Sequence, residues 1–215
     1  MQGRNKGTSA APGRASTLAV DACTAPHPRE DAPTPESPVP AAGPLPRGIQ
    51  HIGVTVPDLD AATTFFVEGL GAKVAYDGLT PEDEPRQGEE VERQLGLPSG
   101  AAIHRQRMIV IGEGPGLEVF EISGEQRAAS GLADFGLNHT SLYCDDIEGS
   151  LDRLVRAGGT ALSEVHGNSH HEDSPGNGSV YVKAPWGMLI ELQTIPSGHY
   201  YDEDSQAEVW MPSPR

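Results

Sequence analysis

Gly48-Ile49-Gln50-His51-Ile52-Gly53-Val54-Thr55-Val56-Pro57-Asp58-Leu59-Asp60 opens a plan that the chain follows twice. The second opening is Gly136-Leu137-Asn138-His139-Thr140-Ser141-Leu142-Tyr143-Cys144-Asp145-Asp146-Ile147. Each is an apolar stretch of strand period with a histidine near its start, broken by a residue pair that caps a helix. Each unit closes on a strand with a glutamate inside it: Gly116-Leu117-Glu118-Val119-Phe120 in the first, Met188-Leu189-Ile190-Glu191-Leu192 in the second. The histidines lie 88 residues apart and the glutamates 73. The difference of 15 matches a Pro-, Gly- and Glu-rich insertion at 78–100 in the first unit.

Working outward, residues 49–56 read as a strand, 58–70 as a helix stopped at Gly69 or Gly71, and 73–76 as a short strand. The insertion carries a short helix around 89–95. Residues 102–112 and 117–122 are strands about a Gly-Glu-Gly-Pro-Gly turn. The second unit repeats the course: a strand over 137–144, a helix from Asp145-Asp146 through Ala157, a strand over 161–165, a polar loop over 166–177, and strands over 179–184 and 188–195. The expected fold is α+β: two tandem βαβββ units forming a cupped mixed sheet with helices on the outside. The expected organisation is a disordered Pro/Ala-rich segment over 1–47, one domain over 48–196 (units 48–123 and 136–195), and a tail over 197–215. Residues 1–47 hold nine of the nineteen prolines and too little apolar surface to offset ordering entropy.

Charge narrows the partners. The chain carries −16; residues 1–47 hold five Lys/Arg and four Asp/Glu, so residues 48–215 carry −17. Such a domain repels nucleic acid and anionic membrane, and the expected partner is a small-molecule substrate, with which the acidity is compatible but which charge alone does not select. No run approaches the ~18 apolar residues of a membrane span. Two cysteines, Cys23 and Cys144, make no disulfide framework, and the expected location is the cytoplasm.

Strand parity selects the ligand candidates. Ile52, Val54 and Val56 face the helix, so His51 faces the other way. The same reasoning turns His139 away from Leu142 and Cys144, Glu118 away from Leu117 and Val119, and Glu191 away from Ile190 and Leu192. All four are expected in one concave cup. An unpaired carboxylate there is costly, and a cation removes the cost. Two imidazoles and two carboxylates suit a divalent Zn, Ni, Co, Mn or Fe(II) ion with positions left for substrate.

These residues resemble the vicinal oxygen chelate superfamily, which includes glyoxalase I, methylmalonyl-CoA epimerase, extradiol dioxygenases and bleomycin-binding proteins. The resemblance rests on the His51-to-Leu59 opening followed by Phe65-Phe66 and Leu70-Gly71, and on Pro185-Trp186-Gly187 followed by Ile190-Glu191-Leu192. It implies that His51, Glu118, His139 and Glu191 are metal ligands, as in the glyoxalase and epimerase branches. It also implies a homodimer, and isomerase or lyase chemistry on a substrate chelated through adjacent oxygens, with Glu118 or Glu191 moving a proton. Two alternatives stand beside it. An Fe(II) extradiol-type dioxygenase would use His51, His139 and Glu191. An antibiotic-binding protein without catalysis would need neither metal nor base.

Several residues have weaker readings. Tyr181 shares the concave face and can donate to a substrate oxygen. Arg105 and Arg107 read as a solvated strand face. His170-His171-Glu172-Asp173 reads as a solvated lid, Trp186 as packing, and His199, Tyr200 and Tyr201 as a segment that folds back over the cup. Glu121, on the face opposite Glu118, reads as a salt-bridge member.

Overall fold

The computed structural model describes residues 46–213. The expectation for 1–47 therefore lies almost wholly outside the described residues, as does Cys23.

The first unit runs β1 (His51–Val56), α1 (Leu59–Leu70), β2 (Lys73–Leu79), β3 (Arg86–Gln87), α2 (Glu89–Leu95), β4 (Ala102–Val110) and β5 (Gly116–Ser123). The second runs β6 (His139–Tyr143), α3 (Ile147–Arg156), β7 (Thr160–Ala161), a 3-10 turn (His170–Glu172), β8 (Gly178–Lys183) and β9 (Leu189–Thr194). The α+β repeat is present, as two sheets rather than one. The first has the order β1-β5-β4-β2, with β3 on β4; the second has the order β6-β9-β8-β7. In each, the opening strand pairs in parallel with the closing strand and forms one edge.

The local chemistry explains the two longer helices, α1 and α3. Asp58 caps α1, accepting from the N–H groups of Asp60 and Ala61 at 2.9 Å each. Gly71 ends the helix in the left-handed region at φ 67°. Asp146 caps α3 by accepting from Gly149 N at 3.0 Å. The helices meet where Gly69 lies against Leu154; a Cβ on Gly69 would stand 2.7 Å from Leu154 Cδ1.

One core joins the two units. Val56, Phe65, Phe66, Leu117 and Val119 share it with Leu154, Val180, Val182, Ile190 and Leu192. Trp186 stands edge-on to Phe65 and Phe66, with centroids 5.2 and 5.3 Å away. Both sheets turn their helix-covered faces onto this core, so the faces bearing the histidines and glutamates look away from it.

Two strands depart from expectation for local reasons. β2 runs on to Leu79 because Asp77 and Leu79 stay paired with Arg107 and Gln106 across two irregularities. β7 is two residues long, since the chain leaves the sheet after Leu162 N–H donates to Tyr181 O at 2.9 Å.

Candidate metal and active site

Strand register makes the two half-sites equivalent. His51 pairs with Gly116, two residues before Glu118; His139 pairs with Leu189, two residues before Glu191. Each histidine therefore shares a face with its glutamate on the adjoining strand. His51 Nε2 lies 3.2 Å from Glu118 Oε2, and His139 Nε2 lies 3.6 Å from Glu191 Oε2.

The other ring nitrogen is tied in the same way in both. His51 Nδ1 bonds Gln50 Oε1, and His139 Nδ1 bonds Asn138 Oδ1 at 2.6 Å. An amide oxygen only accepts, so Nδ1 carries a proton, and in the neutral ring Nε2 presents its lone pair to the carboxylate. Two acceptors then face one another, an arrangement that a cation between them relieves. Each carboxylate has its own support. Gln106 Nε2 donates to Glu118 Oε1. Tyr181, opposite Glu191 in the β8–β9 ladder, hydrogen-bonds its carboxylate and stands edge-on to His139 at 5.4 Å. Burial, and then the Glu191 charge, push the Tyr181 phenol above its ordinary range.

The pairs do not merge. Among the described residues, no three His, Cys, Asp or Glu side chains are grouped so as to hold one ion. The single cup of four, expected within one chain, is two separate half-sites here. Parity fixed which face each residue takes, but not how the two sheets sit relative to one another.

A family model for the glyoxalase/bleomycin resistance protein/dioxygenase superfamily matches residues 48–192. The chain belongs to this superfamily. Among curated proteins it is similar to a 2-epi-5-epi-valiolone epimerase from Actinomyces sp., 29% identical over 166 residues, covering 76% of this chain and 88% of that one. Among solved structures it is similar to a glyoxalase family protein from Bacillus cereus (TM-score 0.55, 21% identity, 72% of this chain and 97% of the other). It is also similar to a glyoxylase/bleomycin resistance protein/dioxygenase domain from Frankia sp. (TM-score 0.49, 19% identity, 72% and 96%).

The structure places the remaining candidates of this superfamily member as follows. Arg105 and Arg107 are mostly buried rather than solvated, because they reach across to α1 and β2. Arg105 grips both oxygens of Asp60 at 2.8 Å, and Arg107 binds Asp77 at 2.6 Å and the Thr63 hydroxyl at 3.0 Å. The Arg105 guanidinium holds the Asp60 carboxyl below its usual range. Glu121 accepts from Leu59 N at 2.9 Å and stands 4.0 Å from Arg105, so it is a salt-bridge member on the helix side.

The 166–177 loop is not a free lid. The segment after β9 binds it: Tyr200 N–H donates to His171 O at 2.7 Å, and Ser197 Oγ to Pro175 O at 2.6 Å. Farther on, Trp210, Pro212 and Ser213 line a cavity of about 360 Å3 with Ile52, Leu117 and His139. The sequence reading missed Gln50, Asn138 and Gln106. For the first two the signal was in plain view, an amide residue immediately before each histidine in both repeats.

Proposed function

We propose that the protein is a divalent-metal-dependent isomerase that epimerises a carbon beside a carbonyl in a small oxygenated substrate, and that its centre is completed between two copies of the chain. The carrying observation is the duplicated half-site: an imidazole held by an amide oxygen, its free lone pair turned to a glutamate, twice over with one register.

The donor set fits a metal. Two imidazole nitrogens and two carboxylates are ligands that Zn, Ni, Co, Mn and Fe(II) accept, and Gln50 and Asn138 are the kind of outer partners that orient metal-binding histidines. One half-site offers too few donors. An isologous pairing brings the His51–Glu118 half of one copy to the His139–Glu191 half of the other, twice per dimer. The unpaired edges of β1 and β6, and the exposed Ile49, Phe135 and Leu137 flanking them, suit that pairing.

A bound divalent ion supplies Lewis-acid polarisation of the substrate carbonyl and stabilises the negative charge that builds when the adjoining C–H is ionised. The chain does the rest. Glu118, steadied by Gln106, takes the substrate proton; Tyr181 holds Glu191 in place; the half-sites fix the substrate from two sides. The similarity to an epimerase supports this chemistry over dioxygenation or simple sequestration, and 2-epi-5-epi-valiolone is the compound to try. The test is proton NMR of the metal-loaded protein with that compound in D2O, beside metal analysis of wild type, His139→Ala and Glu191→Ala. We expect a new epimer carrying deuterium at the inverted carbon, and loss of metal in both variants. Stoichiometric metal in the variants, or oxygen consumption in place of epimerisation, overturns the reading.

A further inference from the structure

The two half-sites match in their ligands and differ in what surrounds them. In the first unit Glu118 stands between Gly53 on β1 and Met108 on β4. In the second, Glu191 stands at the equivalent place between Ser141 on β6 and Tyr181 on β8. Two residues farther along the closing strand, on the same face, the first unit has Phe120 and the second has Gln193. Gln193 is paired in turn with Tyr143. Val119 and Leu192, the intervening residues, are buried in the core, so Phe120 and Gln193 turn to the side of the glutamates. Where the first unit has a bare backbone, a thioether and a phenyl ring, the second has two hydroxyls and an amide.

We propose that the second unit reads the hydroxyl groups of the substrate, through Ser141 and Gln193, while the first unit moves the proton. The proposal rests on the function given above. It names the substrate class as a ring ketone that carries hydroxyls beyond the pair of oxygens that chelates the metal.

The groups are free for this task. The Ser141 and Tyr143 hydroxyls and the Gln193 amide make no hydrogen bond among the described residues. None of the three residues is fully buried, so each trades water for a ligand hydroxyl without leaving a buried group unpaired. Ser141 and Tyr143 line the cavity of about 360 Å3 together with His139. That volume lies within the roughly 300–1,000 Å3 of small-molecule sites. Reach is set by the strand: residues two apart on one face are roughly 6–7 Å apart, so a small ring held beside Glu191 extends to Gln193.

The chemistry of the row selects hydroxyls. An amide and a hydroxyl each donate and accept, as a substrate hydroxyl does. No cation stands in the rows of Glu191 and Gln193; Lys183 lies one row away, on the other side of Glu191. In the first unit Phe120 and Met108 give Glu118 an apolar margin, against which the C–H groups of a ring pack.

The test follows deuterium uptake at the carbon beside the carbonyl, with full-length metal-loaded protein in D2O. It compares 2-epi-5-epi-valiolone with 2-hydroxycyclohexanone, which keeps only a chelating carbonyl and hydroxyl. We expect wild type to favour the first at least about 10-fold in kcat/KM. Gln193→Leu and Ser141→Ala should each narrow that preference about 3–10-fold, mainly through KM, at wild-type metal content. Should wild type label only the first compound, the preference is at its limit, and the variants are read as the same rise in KM for that compound. Equal treatment of the two compounds by wild type overturns the proposal and leaves the function reading standing. So do variants that keep the full preference, lose both activities alike, or lose the metal. Wild type that labels neither compound overturns the function reading itself, and this assignment with it.

Discussion

A mixed-dimer experiment reads the shared centre directly. One chain carries His51→Ala with Glu118→Ala; the other carries His139→Ala with Glu191→Ala. Each alone forms dimers in which every centre keeps only one imidazole and one carboxylate, too few to hold an ion against dialysis. When the two chains are unfolded, mixed in equal amounts and refolded, about half the dimers contain one of each. In those, one centre draws both pairs intact and the other draws neither. The expected metal content is therefore about a quarter of wild type, half the dimers with one good centre in two. The reference values are about zero for either chain alone. Elemental analysis after dialysis gives the number, and it needs no substrate. Zero metal in the mixture would refute the reasoning, because a centre closed within one chain is never whole in either variant. A result near one half would refute random assortment instead, and would point to preferential pairing of unlike chains.

Three further outcomes follow from the geometry. Gln50→Ala or Asn138→Ala frees the Nδ1 proton of one ligand histidine, and should weaken metal affinity about 10–100-fold without unfolding the protein, as read by competition with a chelator. Gly69→Ala drives a methyl into Leu154 Cδ1 and should cost about 1–3 kcal/mol in urea unfolding, less the ~1 kcal/mol that alanine returns as a helix former; a net gain in stability would contradict the close helix contact. Asp60 titrates below its unfolded value because Arg105 binds it, so its contribution is present above about pH 4 and fades as pH falls through the depressed value. Asp60→Asn should therefore be destabilising at neutral pH, with the effect shrinking as the pH falls below about 4, and since Asp60 is 68% exposed the difference is small.

What could be read from the sequence divides along a physical line. Short-range rules carried far: Asp58 and Gly71 bracket α1 where cap chemistry puts them, and α2 spans Glu89–Leu95 as expected. Strand parity carried the faces, since the helix-side residues Val119, Val180, Val182 and Leu192 are all buried in the core. What parity lacks is any term for the angle or distance between sheets. His51 and Glu118 are neighbours through one parallel ladder, and so are His139 and Glu191, but no ladder joins β1 to β6. Arg105 and Arg107 fail for a related reason. An arginine on an apolar face reads as solvated until a carboxylate 45 residues away, Asp60, is seen to reach it.

The same limit explains why the 166–177 loop carries more than its composition suggests. His-His-Glu-Asp between polar residues looks like solvated chain, and taken alone it has no reason to hold a shape. Beyond its own turn bonds and the His166–Ser179 bridge, it is tied by residues after the last strand: Ser197 and Tyr200 bind its backbone, and Gly198 shares the Asn177 amide with Glu172. Removing residues 197–213 should therefore release the loop, exposing it to proteolysis while β8 and β9, paired along their full length, stay protected in hydrogen exchange. If the truncated protein kept the loop protected, the tail would be a passenger and the placing of the loop would have to come from the sheet alone. If β8 and β9 lost protection together with the loop, the tail would belong to the core of the second unit rather than to its rim.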